Sequence, residues 1–104
     1  MSASTAFKVL TQQQWADFER ERVFRGAPVD IADGYIHLST AEQLEGTIAK
    51  YFAGQSGLMI AEVDLLQLGD AIRWEAARGG DLFPHIYAEL PIHAVVSLQR
   101  RDTA

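Results

Sequence analysis

Cysteine is absent from the 104 residues, which excludes disulfides, thiolate metal sites and cysteine nucleophiles and suits a cytoplasmic protein. Positive charge is scarce. Nine Lys and Arg stand against fourteen Asp and Glu, a formal net charge of −5. Binding that depends on neutralising nucleic-acid phosphates is therefore not expected, although a small basic pocket remains compatible. No apolar run approaches the roughly 20 residues of a membrane span. The opening MSASTAFKVL has no basic segment followed by a long apolar one, so a secretory signal is not expected. Internal repeats, low-complexity tracts and linkers are missing too. So are a glycine-rich phosphate loop, H-E-x-x-H and G-x-S-x-G. What the chain does have is 48% hydrophobic and 22% charged residues, enough to bury a core in one domain over 1–104. Loose ends are expected at about 1–5 and 101–104.

Ala6–Leu10 reads as an opening strand. Thr11 and Gln14 form a capping box, and Trp15 and Phe18 follow at i, i+3, giving a helix from Gln12 to about Arg22. Gly26-Ala27-Pro28 ends it and opens a loop, and Asp33-Gly34 marks a turn. Tyr35–Ser39 is a strand. Ser39 with Glu42, or Thr40 with Gln43, caps a second helix carrying Ala41, Leu44, Ile48, Tyr51 and Phe52, with Gly54 as its stop. Gly57–Val63 has the continuous apolar character of a buried central strand, and Asp64–Asp70 a turn. Ala71–Ala76, Pro84–Leu90 and Ile92–Gln99 are further strands, the last with Ile92, Ala94, Val96 and Leu98 on one face. The expected class is α+β, with mixed or antiparallel sheets and two helices.

Alternation along 35–39 puts Tyr35, His37 and Ser39 on one face. His37 reads either as a ligand-contacting imidazole beside Ser39 or Thr40, or as a hydrogen-bonded histidine packed under the helix. In Phe83-Pro84-His85-Ile86-Tyr87 an extended chain puts His85, Tyr87 and Glu89 on one side. If these two strands are neighbours, one sheet face carries two imidazoles and two phenols, which suits a planar polar ligand. The alternative is a pair of ordinary half-buried tyrosines. Arg73 and Glu75 share a side opposite Trp74. Glu75 beside a histidine would act as acid, base or cation stabiliser; otherwise Arg73–Glu75 is a surface ion pair worth little. Arg78 before Gly79-Gly80 reads as a phosphate contact on a loop or as a solvated charge, and His93 as a surface residue. No histidine pair has close metal-ligand spacing, so no metal is expected.

Together Gly34-Tyr35-Ile36-His37-Leu38-Ser39, Gln43, Trp74-Glu75 and Phe83-Pro84-His85-Ile86-Tyr87 resemble the bacterial domain-of-unknown-function family 952. That family's pattern runs as an early Trp, GFIHLS, a Gln, a mid-chain Glu, FPHIYG and a final apolar strand. The resemblance spans about Ala6 to Gln99. Tyr35 stands where the family often has Phe, and Ala88 where it usually has Gly, which narrows close backbone approach at that point. Some members carry a glutathione-transferase label, but this chain is about half the length such an enzyme needs and shows no thioredoxin-like pattern.

The resemblance implies an ADP-ribosyltransferase-like fold. Trp15, Gly26 and His37-Leu38-Ser39 resemble the RNA 2′-phosphotransferase branch, in which an earlier His or Arg lies on the opening strand; Lys8 stands at that position here. Lys8 donates to a phosphate or hydroxyl but cannot accept as imidazole does. The resemblance further implies a cleft binding NAD or another nucleotide through His37, Ser39, Gln43, Tyr87 and Lys8. Glu75 and His85 would be the catalytic groups at the nicotinamide ribose. The other readings are a non-catalytic module for a small metabolite, and an interaction protein with structural histidines. Fold resemblance alone does not choose among them.

Overall fold

The computed structural model describes residues 4–77 and 79–102. Its first sheet is built on β4 (Leu58–Asp64), flanked by β1 (Thr5–Leu10) and β8 (Val95–Arg101), all antiparallel. The apolar run of β4 is what a strand paired on both edges requires, and Leu58, Ile60, Ala61 and Val63 are each at most 1% exposed. A second sheet runs β3 (Ile36–His37), β6 (Leu82–Ile86), β5 (Ile72–Ala76), again antiparallel. A two-residue pair, β2 (Val23–Phe24) with β7 (Leu90–Pro91), completes the strands.

Thr11 and Thr40 begin the two longer helices, α1 (Gln12–Glu21) and α3 (Ala41–Tyr51). Each threonine hydroxyl accepts from the backbone N–H three residues on, and Gln14 or Gln43 accepts in return from the threonine N–H. Thr40 with Gln43 is thus the capping pair that forms. Ser39 Oγ instead meets Thr47 Oγ1 at 2.7 Å.

The expected two helices are three. Pro28–Asp33 is α2, where a loop was expected. Pro28 sits at the first helical turn, where its missing N–H costs nothing. Asp30 Oδ2 accepts from the Ala27 N–H at 2.7 Å, and Gly34 closes the helix at φ 89°. The strand expected over Pro84–Leu90 runs from Leu82 to Ile86, so Glu89 lies beyond it, paired with Arg25. The strand expected over Ile92–Gln99 begins at Val95, because Ile92–Ala94 form a 3₁₀ turn. Its period-two face is correspondingly split: Ala94 is buried, while Val96 and Leu98 are exposed. Thr5 lies in β1 and Arg101 in β8, so the sheet extends into both expected ends.

Most of the core lies between the two sheets, where Ala6, Leu10, Phe18, Ile36, Ile86 and Leu90 are almost fully buried. A second cluster of Val9, Leu44, Ile48, Leu58 and Ile60 lies under α3. The sheets meet where Phe7 and Ser39 exchange backbone hydrogen bonds of 2.7 and 2.9 Å. Among the described residues no helix is long and apolar enough to cross a membrane.

Candidate functional site

The second sheet has one apolar face and one polar face. Ile36 and Ile86 are paired residues of the buried face, each at most 2% exposed. One residue along the ladder, His37 lies directly opposite His85, and Arg73 opposes His85 from the other side. Directly opposed residues share a face, so both imidazoles and the guanidinium stand on the side turned from the core. Tyr35 and Tyr87 follow at two-residue spacing. The Tyr35 ring stacks on His85, with 4.1 Å between centroids and 25° between planes. It lies 4.7 Å from the His37 ring and 5.2 Å from Tyr87. The Arg73 guanidinium sits 4.9 Å from the Tyr87 centroid.

Each imidazole is held by a carboxylate. His85 Nδ1 meets Glu75 Oε1 at 2.7 Å, and the same oxygen accepts from the Tyr87 hydroxyl at 2.7 Å. These bonds hold the Glu75 carboxyl below its ordinary value of 4.5. They also raise the Tyr87 phenol above its ordinary 10.0, since the ionised phenol would lose its hydrogen bond and face the carboxylate. Burial, Asp33 and Glu75 raise the Tyr35 phenol in the same direction. With Nδ1 donating to Glu75, His85 carries its lone pair on Nε2. Nε2 has no hydrogen-bond partner among the described residues, and since no fully buried side-chain polar atom is left unsatisfied there, it meets solvent at the edge of a side chain that is only 7% exposed.

His37 is more enclosed chemically. Nδ1 lies 2.6 Å from Asp30 Oδ1 and Nε2 lies 2.9 Å from Asp33 Oδ2. Asp30, 1% exposed, also accepts from the backbone N–H groups of His37 and Ala27 and from the Lys8 ammonium. Burial pushes the Asp30 carboxyl up, but Lys8 and the hydrogen bonds together hold it below its ordinary 3.8. Burial is the leading influence on Lys8 and lowers its ammonium from the ordinary 10.5.

The structure therefore brings His37, His85, Tyr87 and Glu75 onto one face. Lys8, Ser39 and Gln43 spend their polar groups elsewhere: Lys8 on Asp30 and the His37 carbonyl, Ser39 on Thr47, and Gln43 on Thr40 and the Leu82 carbonyl. Arg73 and Glu75 form no ion pair with each other among the described residues. His93 is exposed and bonded to Gln67, and Arg78 lies outside the described residues. Among the described residues no group of three or more His, Asp or Glu is placed to hold a metal ion. Sequence reasoning missed Asp30 and Asp33. The signal was an aspartate three residues into a proline-started helix, with a second one turn later.

The profile of the family described as "Protein of unknown function (DUF952)" matches residues 9–98. The crystal structure of protein CC0527 from Caulobacter crescentus is 40% identical, with a TM-score of 0.89, covering 92% of this chain and 84% of that one. The solution NMR structure of CC0527 is 39% identical, with a TM-score of 0.85, covering 96% of this chain and 86% of that one. Neither description assigns an activity or a ligand. No curated protein gives a significant match.

Proposed function

The chain belongs to the DUF952 family, and from the chemistry of its polar sheet face we propose that it binds a nucleotide-class small molecule there, NAD in particular, and acts at the nicotinamide ribose in the manner of ADP-ribosyltransferase-like enzymes. One observation carries the reading: Glu75 holds His85 by Nδ1 at 2.7 Å, leaving the Nε2 lone pair unpaired at the edge of a nearly buried imidazole that is stacked on Tyr35. The rings offer π faces to a pyridinium cation. The Glu75 carboxylate, ionised because its hydrogen bonds favour that form, opposes the positive charge that develops at the ribose as the glycosidic bond loosens. As that C–N bond breaks, its electron pair neutralises the pyridinium and nicotinamide leaves. Water or an acceptor hydroxyl bonds to the ribose carbon, and its proton passes to His85 Nε2. Glu75 keeps the imidazole oriented for that transfer, as a carboxylate partner does for a histidine base.

A second reading rests on His37. Both of its ring nitrogens are engaged by aspartates, which makes that half of the face a rigid wall. A non-catalytic binding module would use the same face and release no nicotinamide.

The test combines thermal shift and product release. NAD or ADP-ribose at 100 times its dissociation constant stabilises by about 2.7 kcal/mol, several degrees for a domain of this size. Glu75→Gln and His85→Ala are expected to reduce nicotinamide release by about a hundredfold. Stabilisation with no release at any enzyme concentration selects the binding module. No stabilisation by NAD, ADP-ribose or mononucleotides sinks both readings.

A further inference from the structure

Next to the histidine face, and sharing Tyr35 and Tyr87 with it, lies an open groove of about 410 Å³. Besides the tyrosines it is lined by the exposed Ile31 and Ala88, by Gly34, and by Arg25 and Glu89, with the almost fully buried Asp30, Ile36 and Ile86 behind them. His37, His85 and Glu75 do not line it, so it is a separate space reached across the two tyrosines. We infer that this groove is a nucleobase subsite, which holds the uncharged ring of the ligand whose reacting end lies at Glu75 and His85. The inference rests on the nucleotide reading above and extends it to a part of the molecule that reading does not use.

Three features point to this occupant. Ile31 and Ala88 give the groove exposed apolar surface, and the two tyrosines give a flat ring a stacking surface. The charges at its edge are paired: Arg25 donates from Nε to Glu89 Oε2 and from a terminal nitrogen to Glu21 Oε1, each at 2.9 Å. A paired cation and anion do not select a phosphate, but they do match a ring edge that carries acceptors and an exocyclic amine together, because the guanidinium only donates and the carboxylate only accepts. Finally, Tyr35 and Tyr87 border both the groove and the histidine face, with 5.2 Å between their centroids, so a ring in the groove lies beside that face. Ala88 decides how much room the ring has. It is exposed, so a larger side chain there narrows the groove without entering the core.

Amide shifts in ¹⁵N-labelled protein test this with three probes: adenosine monophosphate, ribose 5-phosphate and nicotinamide mononucleotide. Adenosine monophosphate is expected to move Gly34, Ile36 and Ala88, ribose 5-phosphate to leave them in place, and nicotinamide mononucleotide to move His37 and His85. Ala88→Leu should weaken the adenosine monophosphate response by about tenfold or more while sparing the other face. Arg25→Met, which leaves Tyr35, Tyr87 and Ala88 in place, should weaken it as well. If adenosine monophosphate moves the groove but nicotinamide mononucleotide moves nothing, the base subsite stands and the nicotinamide reading falls. If nicotinamide mononucleotide moves the face while adenosine monophosphate spares the groove, or both variants bind adenosine monophosphate like the parent, the base subsite is overturned and the parent reading survives. Silence from all three probes overturns both.

Discussion

Glu75 Oε1 is a single atom accepting from two donors, and this sharing makes its behaviour measurable. Because the neutral Tyr87 phenol donates to an ionised Glu75, Tyr87 should titrate above 10.0, and Glu75→Gln should move it back down. Tyrosine ring-carbon shifts followed through alkaline pH check this; a Tyr87 midpoint unaltered by the substitution contradicts the shared hydrogen bond. Conversely, His85→Ala removes the leading cause of the low Glu75 value, so the Glu75 carboxyl should rise toward 4.5. Much of this constellation was legible in the sequence, since a strand puts residues two apart on one face whatever its partners are. His85 with Tyr87, and Arg73 with Glu75, follow from that rule alone. That β3 pairs with β6, so that His37 meets His85, was not legible, because it is a contact between residues 48 positions apart. Pro28 and Asp30 gave α2 a local signature, but the bonds that Asp30 accepts from Lys8 and His37 were hidden for the same reason, since their donors come from β1 and β3.

At the scale of elements, sequence signals were strongest where a local device sets an end. Thr11 and Thr40 fix their helices through bonds three residues away; the first start was readable, and the second was readable to within one residue, between Ser39 and Thr40. α2 escaped because six residues give no helical period, while Gly26 and Pro28 resemble a stop as much as a start. The last strand was misjudged in register. Ile92 and Ala94 alternate correctly, but they do so in a 3₁₀ turn leading into β8. Thr40 matters for the site because it joins α3 to the strand carrying His37. Thr40→Ala should cost about 1 kcal/mol by urea denaturation, as removal of a capping hydroxyl does. Thr40→Ser keeps the acceptor oxygen and should cost less. Equal losses for the two would mean that the methyl group, rather than the cap, is what counts.

Across the whole molecule, the two sheets share few backbone bonds, and a polar clasp spans them. Lys8 leaves β1 of the first sheet and reaches Asp30 on α2 at 2.9 Å and the His37 carbonyl of β3 at 3.0 Å. Its partners are unequal in what else supports them. Without Lys8, the Asp30 carboxylate still accepts from Ala27 N, His37 N and His37 Nδ1. Without Asp30, the buried Lys8 ammonium keeps one carbonyl and no counter-charge. Asp30→Ala should therefore destabilise by about 3–5 kcal/mol, the range for one partner stripped from a buried pair, and Lys8→Met by distinctly less. The same asymmetry governs acid. The folded Asp30 carboxyl titrates below 3.8, so the folded state favours its ionised form. That contribution is complete above the ordinary value and is lost as pH falls through the lower, folded one. Glu75 and Glu45 are held below 4.5 by His85 and Arg101 respectively, and act in the same direction. Through these carboxylates stability should fall once pH drops past about 4.5. Asp30→Asn should be less stable at neutral pH and show a shallower acid slope, because one proton-linked group is gone. Urea denaturation of parent and variant across that range decides the matter: an unchanged slope would mean that Asp30 is not ionised in the clasp, and the polar join between the sheets would then rest on the Phe7–Ser39 bonds and on Lys8 with the His37 carbonyl.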